Sequence, residues 1–163
     1  MWDKILFWGG LLLTLTVLAK SIYHKEKTLT NGTEILLKLV PKDPRSMMQG
    51  DYMALRYNLE LQLSRQPNRP RQGTIEVKVG TDQVAYLPTT KTKDTSLLLQ
   101  YKKRNGKIQI GPNAFFIQEG DTKLYENARY AVLKVDENGH AVLIALADKN
   151  RKTITFAPRK KAN

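Results

Sequence analysis

From Ile5 to Ala19 the chain holds only apolar residues, Gly and Thr, with no charge. Counted on to Ile22, with Lys20 able to carry its ammonium to a surface, the run is 18 residues. As a helix that is about 27 Å, close to the roughly 30 Å of a hydrocarbon core. Trp2 and Trp8 near one end and Tyr23 at the other suit the headgroup region. No polar face exists to meet water, so the run does not read as a core helix of a globular domain. It predicts a transmembrane anchor over residues 1–23. The competing expectation is a cleaved signal peptide, for which Val17-Leu18-Ala19 offers a peptidase site. The weakly basic start, Lys4 and the α-amine beside Asp3, favours an uncleaved anchor. Lys20, Lys25 and Lys27 follow the span while only Lys4 and the amine precede it. A positive-inside count alone would therefore leave the following domain in the cytoplasm.

The anchor leaves room for one domain with its own core. Residues 24–32 read as a polar connector that ends in Asn31-Gly32-Thr33, a turn and formally a glycosylation sequon. Residues 33–157 read as the domain and 158–163 as a basic tail. Glu34 to Val40 is a short strand closed by Pro41. After Gly50 comes the clearest period-two pattern in the chain. Met53, Leu55, Tyr57, Leu59, Leu61 and Leu63 point one way, with Tyr52, Arg56 and Glu60 among those pointing the other, which predicts a long half-buried strand. Further strands are predicted at Ile75–Val79, Gln83–Leu87, Leu97–Lys103, Lys107–Ile110, Ala114–Ile117, Arg129–Val135, His140–Ala147 and Thr153–Phe156. Asn105-Gly106 and Asn138-Gly139 are expected to make tight hairpin turns of one type. Thr122 to Asn127 is the one expected short helix. The fold class is mainly β: a transmembrane helix followed by an antiparallel β-barrel or β-sandwich with at most one short helix.

Lys and Arg number 27 against 15 Asp and Glu, a formal charge of +12. Lys4, Lys20, Lys25 and Lys27 against Asp3 and Glu26 give +2 to the first 32 residues, which leaves +10 for the domain. Such a surface favours anionic partners, although the basic residues are scattered over many turns and form no single stripe. No interleaved aromatics offer a stacking platform, so nucleic acid is not an expected partner. Cysteine is absent, which removes disulfide and thiolate chemistry. With His24 and His140 as the only imidazoles, and His24 beside the apolar run, no metal site and no cofactor are expected.

Between the first strand and the alternating stretch lies Pro41-Lys42-Asp43-Pro44-Arg45-Ser46-Met47-Met48-Gln49-Gly50-Asp51. Pro41 and Pro44 fix φ and withhold two donors, so the segment cannot join a sheet ladder. Asp43 can accept from the backbone of its own turn, and Arg45 presents a planar fork for Asp43, Asp51 or an anion. Gly50 permits a close approach where the chain restarts. Leu55 and Tyr57 are expected in the core, whereas Tyr52 and Arg56 face outward.

Gly50-Asp51-Tyr52-Met53-Ala54-Leu55-Arg56-Tyr57 matches the GDYXXLXY pattern at every fixed position. Pro41-x-Asp43-Pro44-Arg45 matches the segment that precedes it. Glu119-Gly120 and Tyr125-Glu126-Asn127-Ala128-Arg129-Tyr130 are similar to the family's second block. After residue 33 the chain thus resembles the GDYXXLXY family of bacterial envelope proteins. The resemblance implies export across the inner membrane, with a single-pass anchor and a periplasmic domain, and outweighs the charge count. It also implies a multi-pass membrane protein as partner, and it assigns no chemistry. The motif residues it marks are Asp43, Arg45, Gly50, Asp51, Tyr52, Arg56, Tyr57 and Arg129. Ala131 stands where the pattern has Gly, so a bulge or close approach there would be altered.

Three functional expectations follow. The first is a non-catalytic binding module that meets a membrane or envelope partner through Arg45, Tyr52 and Arg56. The second is a serine–lysine hydrolase, since Ser46-Met47 ahead of Gly50-Asp51 resembles signal peptidases, though at shorter spacing. Ser46 would then be the nucleophile, and Lys78 or Lys134 a desolvated base. The third is a basic module for anionic envelope polymers or lipid headgroups.

Overall fold

A computed structural model describes residues 2–40, 48–49, 52–66, 68–88, 94–117 and 121–155. The chain opens with α1, Trp2–Asn31. Its stretch Leu6–Asn31 is long and apolar enough to cross a membrane, and its apolar first part is exposed while Thr28, near its end, is buried against the domain. The helix runs unbroken through the polar connector to Asn31. Thr14, Thr16 and Thr30 turn their hydroxyls back onto carbonyls four residues earlier, so these groups need no partner outside the helix, while the Thr28 hydroxyl is shared between His24 O and Asp136 Oδ2. α1 ends at Gly32, whose N–H donates to the Thr28 carbonyl at 2.9 Å. A Cβ there would lie 2.3 Å from the Thr28 oxygen and 3.1 Å from the Val135 oxygen, so only Gly lets the helix end so close to the sheet.

The domain is built from β1 Thr33–Lys38, β2 Met48–Gln49, β3 Tyr52–Ala54, β4 Gln72–Val79, β5 Ala85–Tyr86, β6 Thr95–Arg104, β7 Lys107–Ile110, β8 Ala114–Phe116, β9 Tyr130–Val135 and β10 Ala141–Ala147. They form three antiparallel sheets, ordered β1-β9-β10, β2-β3-β8 and β5-β4-β6-β7, curled into a half-barrel. The sheets are stitched edge to edge by single contacts. Leu36 N–H donates to Gln83 O at 2.8 Å, Gln100 N–H to Gly139 O at 2.8 Å, and, beyond β1, Val40 N–H to Arg56 O at 2.8 Å. Inside the curl lies one contiguous core that includes Ile35, Leu37, Met53, Tyr57, Leu63, Val77, Leu99, Ile110, Leu133 and Leu146. β4 shows the pattern that the sequence predicts, with Ile75 and Val77 buried while Glu76 faces out.

The mainly β class holds, but three local expectations are corrected. The alternating stretch is not one strand. β3 stops at Ala54, and Asn58–Ser64 is a helix, α2. Leu59 and Leu63, four apart, satisfy a helical face as well as they satisfy alternation. Asn58 to Ser64 contains no β-branched residue, and Leu, Glu and Gln favour helix. With Thr122–Tyr125 (α3), the described residues of the domain therefore carry two short helices where at most one was expected. Asn105-Gly106 does make the two-residue turn, with both φ positive at 50° and 74°. Asn138-Gly139 does not. Only Gly139 is left-handed there, at φ 83°. Asp136 and His140 close a three-residue loop through Asp136 N–H to His140 O and Gly139 N–H to Asp136 O. Ala131 is fully buried in regular pairing with Leu37 and Leu146, so no bulge forms at it. The register shift lies in β10, between Leu143 and Ala145.

Candidate functional site

The described half of the motif is a structural joint. Leu55 and Tyr57 are buried, and the Tyr57 hydroxyl donates to Pro112 O at 2.5 Å. Burial first, and the nearby Glu60 charge second, push the Tyr57 phenol well above its usual value, so it stays a neutral donor. Tyr57 also caps α2. Its N–H donates to Glu60 Oε2 at 3.2 Å, and its carbonyl accepts from Glu60 N–H at 3.1 Å. Glu60 Oε1 accepts from Ile110 N–H at 2.8 Å, which ties α2 to β7. Glu60 was expected to face water, yet it is 7% exposed. Burial raises its pKa above the ordinary carboxylate value, against the two amide bonds and the Arg56 charge, which lower it.

Beside this joint opens a cleft of about 410 Å³, with Arg56, Glu60, Ser64, Lys107 and Asn113 among its lining. Arg56 is exposed, as expected. Tyr52 is half-buried on β3 and pairs across the ladder with Phe116 of β8, their rings 6.5 Å apart. Phe116 is 81% exposed, the most open large apolar side chain described outside α1. Arg129 is exposed on the approach to β9, and its Nη1 donates to the carbonyls of Glu126 and Ala128. That guanidinium closes the turn after α3.

A second constellation lies where α1 meets the β9–β10 loop. Asp136 Oδ1 accepts from the N–H groups of Asn138 and His140, both at 2.9 Å. Its Oδ2 lies 3.2 Å from His140 Nδ1, 3.4 Å from His24 Nε2 and 3.3 Å from Thr28 Oγ1. Partial burial works to raise the Asp136 pKa. The His140 amide, the His140 ring and the Asn138 amide outweigh it, and the carboxyl sits below its ordinary value. The two imidazoles meet edge to face at 5.1 Å. Lys134 Nζ, reaching from β9 to the Leu29 carbonyl at 2.5 Å, braces the same junction.

The family model for the GDYXXLXY protein matches residues 14–146. The chain belongs to the GDYXXLXY family. No curated protein and no solved structure matches it. Within the family motif, the fixed Leu55 and Tyr57 serve the core and the cap of α2, whereas Tyr52 stands at the surface against Phe116. Asp43, Arg45, Gly50 and Asp51 lie outside the described residues, as does Ser46. Lys78 Nζ donates to Ser96 Oγ at 2.6 Å and Asp94 O at 3.1 Å on the outer side of the β4–β6 pair. Lys134 holds the helix end. Each lysine thus fastens one chain segment to another.

Two groups escaped the sequence reading. Glu60 was hidden because alternation placed it on the wet face. The expectation of no metal-binding group rested on two distant histidines, and the fold brings both to one carboxylate. Its local signal was present in Asp136-Glu137-Asn138-Gly139-His140, where a turn sets an Asp beside a His.

Proposed function

We propose that this protein is a single-pass anchored component of the bacterial inner membrane whose β domain stands on the periplasmic side and acts as a binding module. The partner is an integral-membrane neighbour, docked through the surface that carries Tyr52, Phe116 and Arg56. The supporting observation is the exposure of Phe116, which lies against Tyr52 of the family motif on a short three-stranded sheet. A large apolar ring held open to water beside an aromatic partner and a cationic cleft is the composition of an interface anchor. The apolar α1 and the export that the family resemblance implies support this reading, since an exported domain on such an anchor would meet other membrane proteins.

The test is purification from native membranes in mild detergent. The full chain should bring down a stoichiometric multi-pass protein, and Phe116→Ser and Arg56→Glu should each reduce recovery at least about ten-fold, as interface hot spots do. Elution of the wild-type chain alone would remove the docking role.

A further inference from the structure

We propose that His24, Asp136 and His140 form a binding site for a divalent transition metal of the zinc class, which clamps the end of α1 to the β9–β10 loop. The chain has two histidines. They lie on different elements, far apart in sequence, and both reach Asp136 Oδ2. One donor atom from each of the three residues lies within 4.8 Å of the other two.

The spacing suits a tetrahedral ion. Ligands held about 2.0–2.1 Å from a tetrahedral metal sit about 3.3–3.4 Å from one another. The two carboxylate–imidazole separations are 3.2 and 3.4 Å. A small movement of the exposed His24 and His140 rings closes the remaining edge. Two imidazoles and one carboxylate are a borderline-soft set that favours zinc over calcium or magnesium, whose sites are built from oxygen. Three protein ligands leave a fourth position for water or for Glu137, which lines the same cleft.

The carboxylate is also held as a metal ligand should be. Two backbone amides on Oδ1 fix the plane of Asp136, and Thr28 supports Oδ2. Asp148 provides an internal comparison. It closes the same kind of loop, accepting from Asn150 and Lys152 N–H groups at 2.8 and 3.0 Å. Lys152 stands there where the first loop has His140. The loop itself therefore needs no histidine.

The experiment uses the full chain without a histidine tag, purified in detergent, stripped with chelator and titrated with Co²⁺ and then Zn²⁺. One Co²⁺ per chain should bind with the visible absorption of a tetrahedral N/O site, and Zn²⁺ should displace it. His24→Gln, Asp136→Asn and His140→Gln should each weaken binding by more than about ten-fold, the loss that even outer partners of a metal produce. Asp148→Asn should leave binding unchanged. His24 is on a helix surface, so circular dichroism of metal-free His24→Gln should match the wild type, which separates lost binding from lost folding. Absence of saturable Co²⁺ or Zn²⁺ binding by the wild type overturns the proposal and leaves a hydrogen-bonded junction. Equal binding by His24→Gln also overturns it.

Discussion

Glu60 is a carboxylate held in the core by two backbone amides, and its burial has a consequence for stability. Its folded pKa lies above the ordinary 4.5, with desolvation the largest cause. The folded state therefore holds this proton more tightly than the unfolded chain does. The sign follows from linkage: stability falls as pH rises from the ordinary value through the raised folded one. Glu60→Gln removes that dependence and loses one of the two amide bonds, about 1 kcal/mol. Urea unfolding at pH 4 and pH 7 should show the wild type losing ground to Glu60→Gln as pH rises. A gap that stays constant, or moves the other way, would sink the account. Asp136 works in the opposite sense. Its folded pKa is lowered, so its contribution is present above the ordinary carboxylate value and fades as pH falls through the folded one.

At the scale of the element, Gly32 decides how α1 joins the sheet. Gly32→Ala places a methyl group on two backbone oxygens, at 2.3 and 3.1 Å, and neither can swing aside like a side-chain tip. The expected cost is about 1–3 kcal/mol, as for other overpacked sites. It should appear as a lower urea midpoint together with faster proteolysis around residues 24–33. An unchanged cleavage rate would mean that the junction is not tight.

The strands were legible because alternation and turn residues agree, as in β4 and the Asn105-Gly106 turn. α2 was not, because apolar residues every second position from Met53 to Leu63 also include a pair four apart. Nothing local decides between the two periods; the Glu60 bonds to Tyr57 and Ile110 do. The proposed binding surface was half legible. Tyr52 and Arg56 were read as outward-facing from parity alone, whereas Phe116 becomes an exposed neighbour only when β3 pairs with β8. The His24–Asp136–His140 cluster needed the tertiary fold, since no local pattern joins residue 24 to residue 136.

At the scale of the molecule, the proposed topology can be tested without a partner. The chain has no cysteine, so Asn68→Cys in the exposed loop before β4 supplies a single thiol. In cells with a permeabilised outer membrane, a membrane-impermeant maleimide should label it. Labelling only after the inner membrane is opened would place the domain in the cytoplasm and remove the periplasmic reading.

The unbroken passage from α1 into β1, with Gly32 closed on Val135 and Lys134 fastened to Leu29, also has a mechanical consequence. A flexible tether would let the domain ignore the orientation of its anchor. A welded joint turns helix and domain into one lever. In the anchored arrangement, a change in helix tilt of about 10°, well within the range that bilayer thickness imposes, would swing the far side of a domain about 35 Å across by about 6 Å. The height and attitude of the Tyr52–Phe116 surface above the membrane would then follow the thickness of the bilayer beneath it.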